Sequence, residues 1–95
     1  MIKVVYNQCY GSFNLSERAK SWLSERGLNF QFALDIPRHH PLLVQCVESL
    51  KSESNGESSD LKIKEVEKFY IIFEYDGYES VIAPESIEWI DASKI

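Results

Sequence analysis

Three short groups of side chains in this 95-residue chain are of types that can do chemistry. The first is Tyr6-Asn7-Gln8-Cys9-Tyr10-Gly11-Ser12-Phe13, where an apolar run gives way to aromatic and polar residues. Tyr6, Tyr10 and Phe13 offer ring faces on which a base can stack, and Asn7 offers both a donor and an acceptor. The same rings could instead seal one end of a small core. The second group is Pro37-Arg38-His39-His40-Pro41. An arginine and a histidine just ahead of a helix, whose first N–H groups are free and whose dipole is positive there, can hold a phosphate or carboxylate. Imidazoles in this position can equally cap the helix. The third group is Glu74-Tyr75-Asp76-Gly77-Tyr78-Glu79. Asp-Gly between strand-like runs signals a two-residue type I′ hairpin. If Tyr75 pairs with Tyr78, Glu74 stands opposite Glu79 on the same face. Like charges opposed across a ladder destabilise it, which calls for an offset: Arg38, a lysine, a bound cation or a raised carboxylate pKa. The two carboxylates either splay into water or grip a cationic group.

Other chemistries fit less well. His39 and His40 are adjacent, so their side chains diverge, and no third ligand stands at a diagnostic spacing; no metal site is expected. Cys9 with His39 could form a nucleophile and base, but no known cysteine-enzyme signature surrounds them. Gly11 alone is no dinucleotide fingerprint and there is no phosphate-binding P-loop. No cofactor is expected.

The elements that must position these groups follow from patterning. Residues 2–7 read as a strand. Asn14-Leu15-Ser16-Glu17 resembles a capping box with Asn14 as N-cap, and Leu15, Ala19, Trp22 and Leu23 then recur at helical spacing until Gly27. Residues 28–36 read as a short strand or extended connector. Pro41 fits the first position of a second helix, with Leu43, Cys46, Val47 and Leu50 as its apolar stripe. Residues 51–59 form a polar loop. Leu61, Ile63 and Val66 mark a strand with Lys62 and Lys64 facing water, Phe69 to Tyr75 and Tyr78 to Ile82 form the hairpin, and Ile87 to Ile90 reads as a last short strand. The expected class is α+β: one domain over residues 1–95, with a mostly antiparallel sheet of four to five strands and two helices on one face.

Size allows one core, which leaves any site on the surface or at an oligomer interface. No signal peptide or membrane-spanning stretch is read, and two cysteines are too few for a disulfide framework; a reducing cytoplasm fits. Residues 1–47 hold five Lys/Arg against three acids, a net +2, and residues 48–95 hold five against twelve, a net -7. Without a dense basic stripe, binding to a nucleic-acid polymer is not expected. The acidic half is either simply solvated or a lure for a basic partner.

The pattern Lys3-Val4-Val5-Tyr6-Asn7-x-Cys9-Tyr10-Gly11-x-Phe13-x-Leu15-Ser16 resembles a family of small proteins of phages, large DNA viruses and some bacteria. The likeness continues through Arg38-His39-x-Pro41-x-Leu43-Val44, Asn55-Gly56, Leu61-Lys62-Ile63 and Glu74-Tyr75-Asp76-Gly77-x-Glu79-x-Val81, and so covers nearly the whole chain. Two positions depart from it: Ser12 stands where the pattern has a second glycine, and His40 where it has an aspartate. The resemblance implies a viral or phage-like context rather than an activity.

These readings converge on a non-catalytic module capturing a small anionic, nucleotide-like ligand. Arg38 and His39 would hold the charge, Tyr6, Asn7 and Tyr10 the remainder, and self-association would enclose it. The phage-like context adds a role against host defence signalling. The alternative is an acidic module, with Glu65, Glu67, Glu74 and Glu79, that occupies a basic surface of a host protein. A third reading is a small hydrolase using Cys9 or His39.

Overall fold

The structure, a computed structural model, describes residues 1–94. The chain is α+β, with strands β1 (Ile2–Asn7), β2 (Leu61–Val66), β3 (Ile71–Tyr75) and β4 (Tyr78–Ile82) and helices α1 (Glu17–Glu25) and α2 (Pro41–Leu50). The strands form two separate antiparallel ribbons, β1 with β2 and β3 with β4, in place of the single larger sheet that the sequence suggests.

The ribbons are stacked rather than joined because β1 has apolar residues on both faces. Val4 and Val5 are adjacent and both fully buried, so alternation sends them to opposite sides. Val5, with Leu61 and Ile63 of β2, packs under the helices against Leu23, Leu43, Cys46 and Val47. Val4 and Val66 pack instead on Val81 and Ala83 of the hairpin, ringed by Tyr6, Tyr70 and Ile72. The result is three layers: helices, the β1–β2 ribbon, and the β3–β4 hairpin.

Helix α1 begins two residues later than the capping pattern suggests. Ser16 is its N-cap, with Oγ accepting from Ala19 N at 3.0 Å. Asn14 is engaged elsewhere: its Nδ2 donates to Ser58 Oγ, and Leu15 bridges Asn55 in an extended conformation. At the other end Gly27 sits at φ +86, and Leu28 N and Gly27 N close back on Leu23 O and Ser24 O, a Schellman stop. Helix α2 has Pro41 at its first position and is capped by His40, whose Nδ1 accepts from Leu42 N at 3.1 Å.

Of the two readings open for residues 28–36 the structure takes the connector, and the strand expected at residues 87–90 is absent. Residues 28–36 hold only a 3₁₀ turn at Ala33–Asp35, because Asp35 closes back on the Phe32 amide. Residues 87–90 form no strand: a 3₁₀ turn at Pro84–Ser86 redirects the chain, and residues 84–94 are exposed throughout. The radius of gyration, 15.1 Å, accordingly exceeds the roughly 12 Å of a compact chain of this length.

Candidate functional site

The hairpin turn explains the geometry around it. Asp76 and Gly77 both have positive φ, 49 and 85, which defines a type I′ turn and sets the register Tyr75↔Tyr78, Glu74↔Glu79. The opposed carboxylates are separated by what each bonds. Glu74 turns back on its own turn and accepts from Gly77 N at 2.7 Å. Glu79 points inward and is gripped by Arg38, with Nη1 on Oε1 at 2.5 Å and Nη2 on Oε2 at 2.9 Å. Arg38 thus supplies one of the offsets that these like charges call for.

Asn7 completes this cluster. Its backbone N–H donates to Glu79 Oε1 at 2.8 Å. Its fully buried side chain donates to the carbonyls of Gly77 and Cys9 and accepts from Asp60 N. One amide thereby ties the end of β1 to the hairpin tip and to the start of β2, with every donor and acceptor used. Arg38 also lies across Phe13, its Cζ 3.6 Å from the ring centroid, and its carbonyl accepts from Val5 N. The side chains of Arg38 and Glu79 are only 10% and 6% exposed. This is a buried, bidentate, desolvated pair of the kind that fixes one arrangement of neighbouring elements.

Asn7, Arg38 and Glu79 therefore come together, but as a closed structural clasp with its charge internally balanced. An anion held by Arg38 would have to displace Glu79. His39 lies beside the clasp, exposed, with Nδ1 2.7 Å from Tyr70 Oη; burial pushes the Tyr70 hydroxyl above its usual range, partly opposed by the charge of Arg38. Tyr6 is part of the core between the ribbons. Tyr10 goes elsewhere, tilted against Tyr78 with centroids 5.0 Å apart. Glu74 is exposed at the mouth of a cavity of about 380 Å³ lined by Gly11, Ser12, Phe13, Leu34, Gly77 and Glu79. Among the described residues no group of three or more His, Cys, Asp and Glu side chains could hold a metal, and no helix is long and apolar enough to cross a membrane.

The β3–β4 hairpin also carries an exposed apolar surface that none of the three chemistry-bearing groups marks. On β3, alternation puts Ile72 and Glu74 on the inner face and Ile71, Phe73 and Tyr75 on the outer face. Those three are 60%, 59% and 69% exposed. Tyr78, paired with Tyr75, and Tyr10 against it extend the surface with further rings. The signal was present in the seven residues from Phe69 to Tyr75, six of them apolar or aromatic, which leave too few polar side chains to cover a solvent face. The surrounding chain is acidic: residues 69–95 carry six acids and one lysine, and among the described residues Glu79 is the one of these acids in an ion pair, with Arg38.

No family model, no curated protein and no solved structure matches this chain.

Proposed function

We propose that this protein is a protein–protein interaction module that docks through the outer face of its β3–β4 hairpin. One observation carries the reading: Ile71, Phe73 and Tyr75 form a continuous exposed row on a hairpin whose opposite face is already packed in a core. A row of large apolar side chains, rimmed by polar ones, is characteristic of a docking surface. Aromatic residues supply most of such an interface's energy with few rotamers to freeze. The acidic rim selects a partner with a basic margin and speeds encounter with it. Capture of a small anion has weaker support, since the arginine best placed for it is bonded to Glu79 on both nitrogens.

The test is site-specific photo-cross-linking in cells that contain the partner. A photoreactive residue at position 73 should capture one protein that the same residue at Ser21, exposed on α1, does not. Phe73→Ser should abolish that association and leave the thermal unfolding midpoint within a degree or two. The same capture pattern from both positions, or association that survives Phe73→Ser, would overturn the reading.

A further inference from the structure

Resting on that reading, we infer that the partner docks by adding an extended strand to the free edge of β3, with a lysine or arginine side chain entering the cavity beside Glu74.

The ladder determines which edge is available. In a two-residue hairpin the closing pair, Tyr75 and Tyr78, exchanges both hydrogen bonds, and bonded and non-bonded pairs then alternate. Ile71, Phe73 and Tyr75 thus spend their backbone groups on β4, while Ile72 and Glu74 point N–H and C=O away from it. Among the described residues no other backbone or side chain bonds the main chain of β3. The outer edge of β4 is different: Lys64 Nζ donates to Val81 O at 2.9 Å, and at the adjoining turn Asn7 Nδ2 covers the carbonyl of Gly77. One edge of the hairpin is guarded and the other is open, the condition for strand addition.

Side-chain alternation then specifies the incoming strand. A residue paired with Phe73 lies on the outer face, where apolar side chains extend the row Ile71, Phe73, Tyr75. A residue paired with Glu74 lies on the inner face and aims at the cavity of about 380 Å³ that Glu74, Phe13 and Leu34 line. Glu74 uses Oε1 on Gly77 N, which leaves Oε2 for an incoming cation. Glu79 adds no net charge to the cavity because Arg38 holds it. A strand that alternates apolar and basic residues satisfies both faces. The net charge of -5 disfavours a second copy of this chain in that position.

The experiment uses the intact protein and a seven-residue peptide alternating valine and arginine. Amide hydrogen exchange is read residue by residue with and without peptide. Saturating peptide should slow exchange at Ile72 and Glu74 at least tenfold and leave Phe73 unchanged, since its amide already bonds to β4. Glu74→Gln should weaken the peptide about tenfold, and a backbone N-methylated peptide should not bind. Peptide binding that protects other amides instead, or no binding at millimolar peptide, would overturn the inference. So would protection of Ile72 and Glu74 that rises with protein concentration alone, which would assign the edge to a second copy. The cross-link at position 73 separates the two claims: if it persists while the peptide fails, strand addition is wrong and the interaction module stands.

Discussion

Arg38 and Glu79, 41 residues apart in the chain, are joined by two hydrogen bonds at the meeting point of all three layers. Arg38 belongs to the loop before α2, Glu79 to the hairpin, and the backbone of Asn7 at the end of β1 donates to the same carboxylate. The pair therefore acts as a clasp between the helical layer and the hairpin, alongside the small apolar cluster of Val4, Val66, Val81 and Ala83 and the bonds from Asn7 and Lys64. A rigidly held hairpin can present an apolar outer row without that row collapsing inward.

Because the pair is buried, loss of one member should cost more than the pair is worth. Arg38→Met leaves Glu79 without its partner in a largely desolvated site and should destabilise the fold by about 3–5 kcal/mol in urea unfolding. Glu79→Leu should do similar damage, since it strands both the guanidinium and Asn7 N–H. The double variant should recover part of the loss, with a coupling of at least about 1.5 kcal/mol. Strict additivity would show that the two side chains do not act as a unit.

Asn7 has no conservative replacement. Asn7→Asp is nearly isosteric but turns the donor that serves the Gly77 and Cys9 carbonyls into a third oxygen facing them. The loss should exceed about 2 kcal/mol at neutral pH. A stability equal to the parent's at pH 7 would mean that the amide is not the link that ties β1 to the hairpin tip.

Two glycines with nearly the same φ should behave differently. Gly27, at +86, has nothing within 4 Å of the position an added Cβ would take, so Gly27→Ala should cost only the left-handed backbone term of about 1–2 kcal/mol. Gly77, at +85, lies so close to Gly11 that a Cβ would sit within bonding distance of its carbonyl. Gly77→Ala must force the hairpin tip away from the 9–12 loop and should cost clearly more, with the exchange protection of Gly77 lost. Equal costs for the two would contradict the close approach of Gly11 to Gly77.

What was readable in the sequence was local. Asp76-Gly77 specified the turn, and with it the opposition of Glu74 and Glu79, because a two-residue loop fixes register. Gly27 and Pro41 marked helix ends because their backbone limits are intrinsic. The division into two ribbons was not readable, because adjacent Val4 and Val5 are consistent with any strand buried on both sides. Nor was the closed state of the clasp. Arg38 at a helix start has the chemistry of an anion site, and only the tertiary approach of Glu79 shows that its donors are taken. Asn14 has the pattern of a cap, but Leu15 is drawn into the bridge with Asn55. Phe69 to Tyr75 has the composition of a strand, but which face meets the core depends on the hairpin's place on β1–β2.

The two thiols should separate sharply in reactivity, and the buried one should make stability depend on pH. Cys9 is partly exposed and Cys46 fully buried under α1, with Sγ 3.8 Å from Ala19 O. A disulfide reagent should label Cys9 rapidly, and Cys46 only as fast as the fold opens. Burial pushes the Cys46 thiol up from its ordinary 9.0 to about 11, with a small opposing pull from Arg26. The unfolded chain releases that proton at lower pH than the folded one, so the associated stability is fully present below about 9 and is lost as pH rises to about 11. Other groups also titrate in that range, and Cys46→Ala cancels them from the comparison. The urea midpoint of the parent minus that of Cys46→Ala should shrink steadily from pH 8 to pH 11. A difference that stays constant would mean that the thiol is as well solvated in the folded protein as in the unfolded chain, contrary to its place beneath α1.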